Sequence, residues 1–317
     1  RLCSRLPQLS LQLIQFLFLL PTQCTVLRPH YVHKYVPISV NSSCGTRTGQ
    51  NVSYFNSPDF PGTYQQEGIC LYQIQKIQPS ICQIRLDLII FKIRGTKLGS
   101  CNNDKLIIMG QNLNNDIPSL CGINDNQHLY LEVDQNFGDI TMTMTTIGDA
   151  NRRWNIKISQ IDCGSAWKAP PYCLQYFVSN QGNFKSFNYN DTCALDEFST
   201  GYLNNLNYAV CIRKESSYCS VEYSTTIPGE TDNTEFAISN ARKQDNGFPL
   251  VPTLNFGVAG VGGTDCPDDY IILSKGLRLC GQRLNDLTTN PERSESAPVT
   301  GTVKFFPRVM NGNSSIA

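Results

Sequence analysis

The sequence predicts an all-β protein made of two disulfide-stapled, antiparallel β-sandwich units. Three observations predict it. Short runs alternate apolar and polar residues, turn residues separate those runs, and a cysteine-bearing phrase recurs in both halves. No long stretch carries the periodicity of an amphipathic helix. Composition sets the outer bounds. A chain of 317 residues is long enough for two domains of roughly 150 each. Lys plus Arg and Asp plus Glu both number 26, which excludes the basic excess of a nucleic-acid binder. Hydrophobic residues at 40 % can bury a core, so the chain is not disordered. Fourteen cysteines are heavy for a reducing compartment and point to export.

The first element, residues 1–25, reads as a signal peptide. Arg1 and Arg5 precede an apolar run, Leu11, Leu13, Ile14 and Phe16 to Leu20, which Pro21 ends. Gln12 and Gln15 interrupt the run, and it is too short to span a bilayer. No later stretch is long and apolar enough for a transmembrane segment. Because the chain opens on Arg1 rather than Met, it is read as a fragment. Residues 26–43 form an N-terminal arm. His30 and His33 lie there without nearby cysteine or carboxylate, so a solvated arm is preferred to half a metal site.

The first unit spans 44–163. Cys82, Ile84, Leu86 and Leu88 alternate with polar residues, and so do Leu129, Leu131 and Val133. Ile140, Met142 and Met144 follow, then Trp154, Ile156 and Ile158. Pro58, Pro61-Gly62, Gly95, Gly99-Ser100 and Gly148-Asp149 supply the turns. A linker of small residues and proline follows at 164–172, and the second unit spans 173–317. The repeat is carried by Cys101-Asn-Asn-Asp104 with Leu120-Cys121-Gly122 in the first unit. Its match is Cys266-Pro-Asp-Asp269 with Leu279-Cys280-Gly281 in the second. Once Cys3 and Cys24 leave with the signal, twelve cysteines remain, six in each unit. No C-x-x-C pair occurs, so disulfides are favoured over zinc, and spacing alone leaves several connectivities open.

Catalytic motifs are not found. H-E-x-x-H, G-x-S-x-G, Gly-Asp-Ser-Gly and the phosphate-cradling P-loop are all absent. Gly257 to Gly263 is read as a loop, and His128 as a structural hydrogen-bonding residue rather than a base or ligand. The chain is therefore read as no enzyme.

The order of these features resembles the CUB domain, an extracellular β-sandwich. Cys44 opens the first unit, and Tyr54-Phe55-Asn56-Ser57-Pro58-Asp59-Phe60-Pro61 is similar to the family's "SPxYP" turn. Cys70, the Ile84/Leu86/Leu88/Phe91 strand, Cys101-x-x-Asp104 and Leu120-Cys121-Gly122 follow in family order. A narrower likeness is to secreted arthropod proteins with tandem CUB domains. It rests on phrases such as Cys82-Gln-Ile-Arg-Leu-Asp87 and Trp154-Asn-Ile-Lys-Ile-Ser-Gln-Ile161. The resemblance implies the pairs Cys44–Cys70, Cys101–Cys121, Cys173–Cys211 and Cys266–Cys280. Cys82 and Cys163 are left over near strands and are paired with each other. Cys193 either pairs with Cys219 or leaves Cys219 with a partner beyond Ala317. Against the family pattern, the second unit has a long insertion between Cys219 and Cys266. After Phe305-Phe306 it lacks the family's last strand and terminal cysteine, so it is expected to be cut short there.

In calcium-binding members the Asp of C-x-x-D joins a Glu and a second Asp around the ion. Asp104, Asp149 and Asp269 are the candidates here. The Glu position falls on Phe91-Lys92-Ile93-Arg94 in the first unit and on Ser239-Asn240 in the second. Calcium takes six to eight oxygens, and both units keep one Asp without its partners. The expectation is that no cofactor is held and that Arg94 stands as a built-in cation facing Asp104. Asn41, Asn51, Asn190 and Asn313 head glycosylation sequons. The function expected is a secreted, non-catalytic module that binds an extracellular protein or glycan. The alternatives are a regulatory piece of a larger extracellular protease and a component of matrix or cuticle.

Overall fold

The computed structural model describes residues 13–18, 40–97, 99–112, 117–133, 138–189, 197–198, 202–213, 220–224, 238, 259–273, 276–281, 294–298 and 302–307. One strand, β1 (Leu13–Phe18), precedes the first unit. That unit begins with β2 (Val40–Ser42), β3 (Thr46–Thr48), β4 (Val52–Asn56), β5 (Gly68–Ile74) and β6 (Ile81–Lys92). It continues with β7 (Lys105–Met109), β8 (Gln127–Glu132), β9 (Ile140–Thr146) and β10 (Arg153–Asp162). The two sheets run β2-β4-β10-β6-β8 and β3-β5-β9-β7. The expected N-terminal arm thus gives its last residues to the fold as edge strand β2.

The second unit holds β11 (Cys173–Phe177), β12 (Gln181–Lys185), β13 (Tyr208–Ile212), β14 (Ser220–Ser224) and β15 (Ala259–Val261). A single helical turn, α1 (Gly262–Asp265), leads to β16 (Asp269–Ile272) and β17 (Arg278–Gly281). Then come β18 (Ser294–Pro298) and β19 (Thr302–Pro307). The sheets run β11-β13-β19-β16-β17-β15 and β12-β1-β14-β18. The glycine-rich segment read as a loop therefore contributes a strand, because β15 pairs with β17.

Period-two alternation explains why these segments form strands. Along β9 the burial alternates from Ile140 to Thr146, with the methionines inside and Thr141, Thr143 and Thr145 outside. Along β10, Trp154, Ile156 and Ile158 face the core. Trp154 is fully buried, 5.8 Å from Phe55 and edge-on to Tyr64 at 5.7 Å between ring centroids. Such aromatic contacts add roughly 0.5–1.5 kcal/mol beyond area burial. Most pairs are antiparallel, but β2·β4, β3·β5 and β11·β13 are parallel. In each case one strand of the opposite sheet lies between the partners in sequence. Two crossings restore the original direction.

Disulfide bonds join Cys44–Cys70, Cys82–Cys163, Cys101–Cys121, Cys173–Cys211 and Cys266–Cys280. The pairing of Cys193 with Cys219 lies outside the described residues, as do His30, His33, Asn190, Ser239, Asn240 and Asn313. Asn41 lies in β2, and Asn51 is exposed just before β4. The segment expected to be a leader enters the second unit as β1, paired antiparallel with β12 and β14.

Candidate functional site

The first unit gathers a carboxylate and a cation at one corner. Asp104 lies two residues past the Cys101 disulfide position's neighbour Asn102 and directly before β7, and it is fully buried. A buried carboxylate must have its lone pairs satisfied. Four donors do so. Oδ2 accepts from the Arg94 backbone N–H at 2.8 Å and from Arg152 Nε at 2.6 Å. Oδ1 accepts from the Ile147 N–H at 3.1 Å and from Arg152 Nη2 at 3.0 Å.

Arg152 is also fully buried. It lies just before β10, bridged to Tyr64 through reciprocal backbone hydrogen bonds of 2.8 and 3.1 Å. Strand parity decides its direction. Arg152 shares the inward parity of Trp154, Ile156 and Ile158, whereas Arg153 points outward and is exposed. Its guanidinium donates beyond the carboxylate to four carbonyl oxygens. Nη1 reaches Gln65 at 3.1 Å and Gln66 at 3.4 Å, and Nη2 reaches Ile147 at 2.9 Å and Gly148 at 2.7 Å. Six oxygens thus surround one cationic group: two from Asp104 and four from the backbone. A hard divalent cation asks for a shell of that number and kind. The residues at this corner do not fit calcium, because a guanidinium already engages the oxygens that would ligate it. Arg suits the role, since its planar fork matches a carboxylate bidentately and stays charged.

The cation expected from sequence was Arg94, and the geometry corrects it. Arg94 meets Asp104 only through its backbone N–H. Its side chain turns outward, donates to the Ile147 carbonyl at 3.1 Å and pairs with Glu197 of the second unit at 3.3 Å. Asp149 is exposed, one residue past Gly148, and its side chain is not among the six oxygens. Arg152 was missed in sequence, although its place on the apolar parity of β10 was a usable signal. Among the described residues no group of three or more His, Cys, Asp and Glu is close enough to hold a metal ion.

The matching corner of the second unit is built differently. Asp269 opens β16 and is buried, and Oδ2 accepts from the Tyr202 hydroxyl at 2.6 Å. Its partner is a neutral phenol, not a cation. Burial therefore pushes the Asp269 carboxyl up to about 6, against the pull of the Tyr202 hydrogen bond and helped by nearby Asp268. Burial, with Asp269 adding to it, moves the Tyr202 phenol well above its ordinary value.

Between the units lies a buried polar seam. Gly122 has φ +82°, and a Cβ there would meet Asn188 Oδ1 at 1.7 Å, so only glycine fits. Asn188 Oδ1 accepts from the Ile123 N–H at 3.1 Å, and its own N–H donates to Asn124 Oδ1 at 2.7 Å. Gln175 Nε2 donates to Gln127 Oε1 at 3.1 Å. His128 Nε2 accepts from the Tyr176 N–H at 3.0 Å, and the ring stands edge-on to Tyr130 and Phe177. Burial first, then the charge of Arg85, lowers its pKa to about 4. The neutral ring is a structural acceptor that ties β8 to β11.

Comparison with known proteins places both units. The CUB domain model matches residues 44–156, and the animal CUB domain model matches 170–313. The chain carries two CUB domains. CUB domains are extracellular protein-interaction modules and are non-catalytic. The chain is also similar to the full extracellular region of zebrafish Gpr126/Adgrg6, at 14 % identity over 38 % of this chain and 15 % of that one, with a TM-score of 0.29. It is similar to the MASP-1 CUB2 domain bound to Ca2+, at 18 % identity over 37 % of this chain and 98 % of that one, with a TM-score of 0.29. The third likeness is to the CUB1-EGF-CUB2 domains of rat MASP-1, at 11 % identity over 85 % of this chain and 95 % of that one, again with a TM-score of 0.29. No curated protein matches the chain. The comparisons speak for the two CUB domains and carry nothing on the narrower arthropod group. No helix among the described residues is long and apolar enough to cross a membrane.

Proposed function

We propose that this tandem CUB protein is a secreted binding module that engages an extracellular protein or glycan without calcium at its first domain. The observation that carries the calcium-free part is the six-oxygen shell around Arg152. A guanidinium there supplies the positive charge that holds the loops before β7 and β10 together, so loop order does not depend on the metal content of the medium. The five disulfides among the described residues and the exposed sequon asparagine Asn51 support an extracellular setting. The arthropod likeness belongs to the same reading and rests on the phrases Cys82 to Asp87 and Trp154 to Ile161. The seam through Gly122, Asn188 and His128 supports a partner that contacts both domains in one fixed arrangement.

Affinity capture tests this. The tagged protein is incubated with extracellular fluid of its source in 5 mM EDTA and in 2 mM calcium (about the extracellular level at which weak modules fill), and bound species are identified by mass spectrometry. The same species retained in both arms is the expected result. Retention only with calcium contradicts the calcium-free reading, and no specific retention in either arm contradicts the binding role.

A further inference from the structure

The two domains differ at one sheet position. In the first, the last strand β10 runs between β4 and β6, antiparallel to both. The second domain repeats this plan. β12 falls in sequence between the parallel pair β11 and β13, as β4 falls between β3 and β5. β14 follows β13 as β6 follows β5, and β19 runs antiparallel beside β13 and β16 as β9 does beside β5 and β7. The place of β10, between β12 and β14, is taken by β1 from the other end of the chain. It is antiparallel to both neighbours, as β10 is.

The register fits a strand with one apolar face. Ile14 stands opposite Phe184, Phe16 opposite Tyr223 and Phe18 opposite Val221, and those three partners are buried. Directly opposite residues share a sheet face, so these β1 positions are the counterparts of Trp154, Ile156 and Ile158 in β10. Leu13, Gln15 and Leu17 take the other face, opposite polar residues of the walls: Lys185, Asn183 and Gln181 in β12, and Ser224 and Glu222 in β14. One parity of β1, Ile14, Phe16 and Phe18, is wholly apolar, and Gln15 falls on the other, so a polar residue inside the run is compatible with a strand that buries one face. Without an occupant, β12 and β14 would be two facing edges about 10 Å apart, twice the spacing of neighbouring strands. Each would present an unpaired row of N–H and C=O groups above an apolar floor. Those conditions favour binding by strand addition, in which main-chain hydrogen bonds give affinity and alternate side chains give selectivity.

We propose that the gap between β12 and β14 is a strand-acceptor site of the second domain. Its ligand is an extended segment with apolar side chains at alternate positions, run antiparallel to both walls, and Leu13–Phe18 is the occupant. The site is independent of the calcium-free binding reading.

Hydrogen exchange on the full chain tests the proposal. The amides of β12 and β14 are expected to be protected as those of β4 and β6 are. Phe16→Pro removes an N–H in the middle of β1 and places a ring in the ladder, which a central strand does not tolerate. In that variant β12 and β14 should lose protection while β4 and β6 keep theirs. A synthetic peptide of residues 11–20, carrying a lysine tail for solubility, should restore it, and the same peptide with Phe16→Pro should not. If the variant loses protection throughout the second domain, rescue by the peptide still decides. In a chain secreted without residues 13–18, the peptide should likewise confer protection on β12 and β14. Unchanged protection in Phe16→Pro, or lost protection that the peptide does not restore, overturns the proposal.

Discussion

Two copies of one motif, C-x-x-D before a strand, end in opposite electrostatics. In the first domain Asp104 faces Arg152, both fully buried, with every carboxylate lone pair directed at a donor. In the second, Asp269 faces a phenol, and burial raises its pKa to about 6. A buried carboxylate thus has two remedies. It can be paired with a cation that is itself fully hydrogen-bonded, or it can bind a proton more readily. The first remedy fixes charge, and the second makes the corner sensitive to pH.

The largest expected effect comes from breaking the ion pair. Arg152→Ala leaves an uncompensated buried carboxylate and takes one donor from each of four carbonyls, which should cost about 3–5 kcal/mol. Chemical denaturation of the first domain's transition checks this. Arg152→Lys should recover only part, because a point charge cannot reproduce the fork. If Arg152→Ala is neutral, the pair does not hold the corner.

The second domain should respond to pH instead. Because the folded pKa of Asp269 is raised from 3.8 to about 6, the folded chain holds a proton that the unfolded chain has released. Its stabilising share is complete below the unfolded value, is lost as pH rises from about 4 to about 6, and stays lost above that. A shift of about two units corresponds to about 3 kcal/mol. Asp269→Asn removes the dependence while keeping an acceptor for Tyr202. Its stability relative to the parent should therefore climb by up to that amount between pH 4 and 7. His128 contributes with the opposite sign, since its lowered pKa costs stability as pH falls from 6.5 towards 4. Taking the difference between variant and parent cancels it. A flat difference would mean that Asp269 is ionised normally.

Smaller effects sharpen the contrast. Tyr202→Phe removes the donor to Asp269 and should cost about 1–3 kcal/mol at neutral pH, with less loss at pH 4, where the carboxyl can be its own donor. Arg94→Ala removes a partly exposed pair with Glu197 and should change stability by about 0–1 kcal/mol. A loss as large as that of Arg152→Ala would return the role of built-in cation to Arg94.

These corners mark where sequence reading succeeds and where it stops. The alternation in Cys82 to Leu88, Leu129 to Val133, Ile140 to Met144 and Trp154 to Ile158 finds β6, β8, β9 and β10; in β9 and β10 side-chain parity also reports burial, whereas β8 is buried on both faces because its polar side packs against β11. Asp104 and Asp269 are legible through the repeated C-x-x-D phrase. Their partners are not, since Tyr202 and Arg152 reach them across 67 and 48 residues of sequence and carry no motif. Arg152 and Arg153 stand side by side in no recognisable motif. Only the parity of Trp154 reveals that one of the two must enter the core. The place of Leu13–Phe18 was hidden for a related reason. An apolar run behind two arginines fits an export signal, and the gap it fills is created by strands nearly two hundred residues away.

Calcium titration tests the central claim, that a guanidinium occupies the cage a metal would need. Metal-stripped protein is titrated with calcium chloride by calorimetry at pH 7. The account predicts only heats of dilution at the first domain through the range of about 0.1–1 mM that fills extracellular sites. A saturable site in that range, abolished by Asp104→Asn and unaffected by Asp269→Asn, would contradict it.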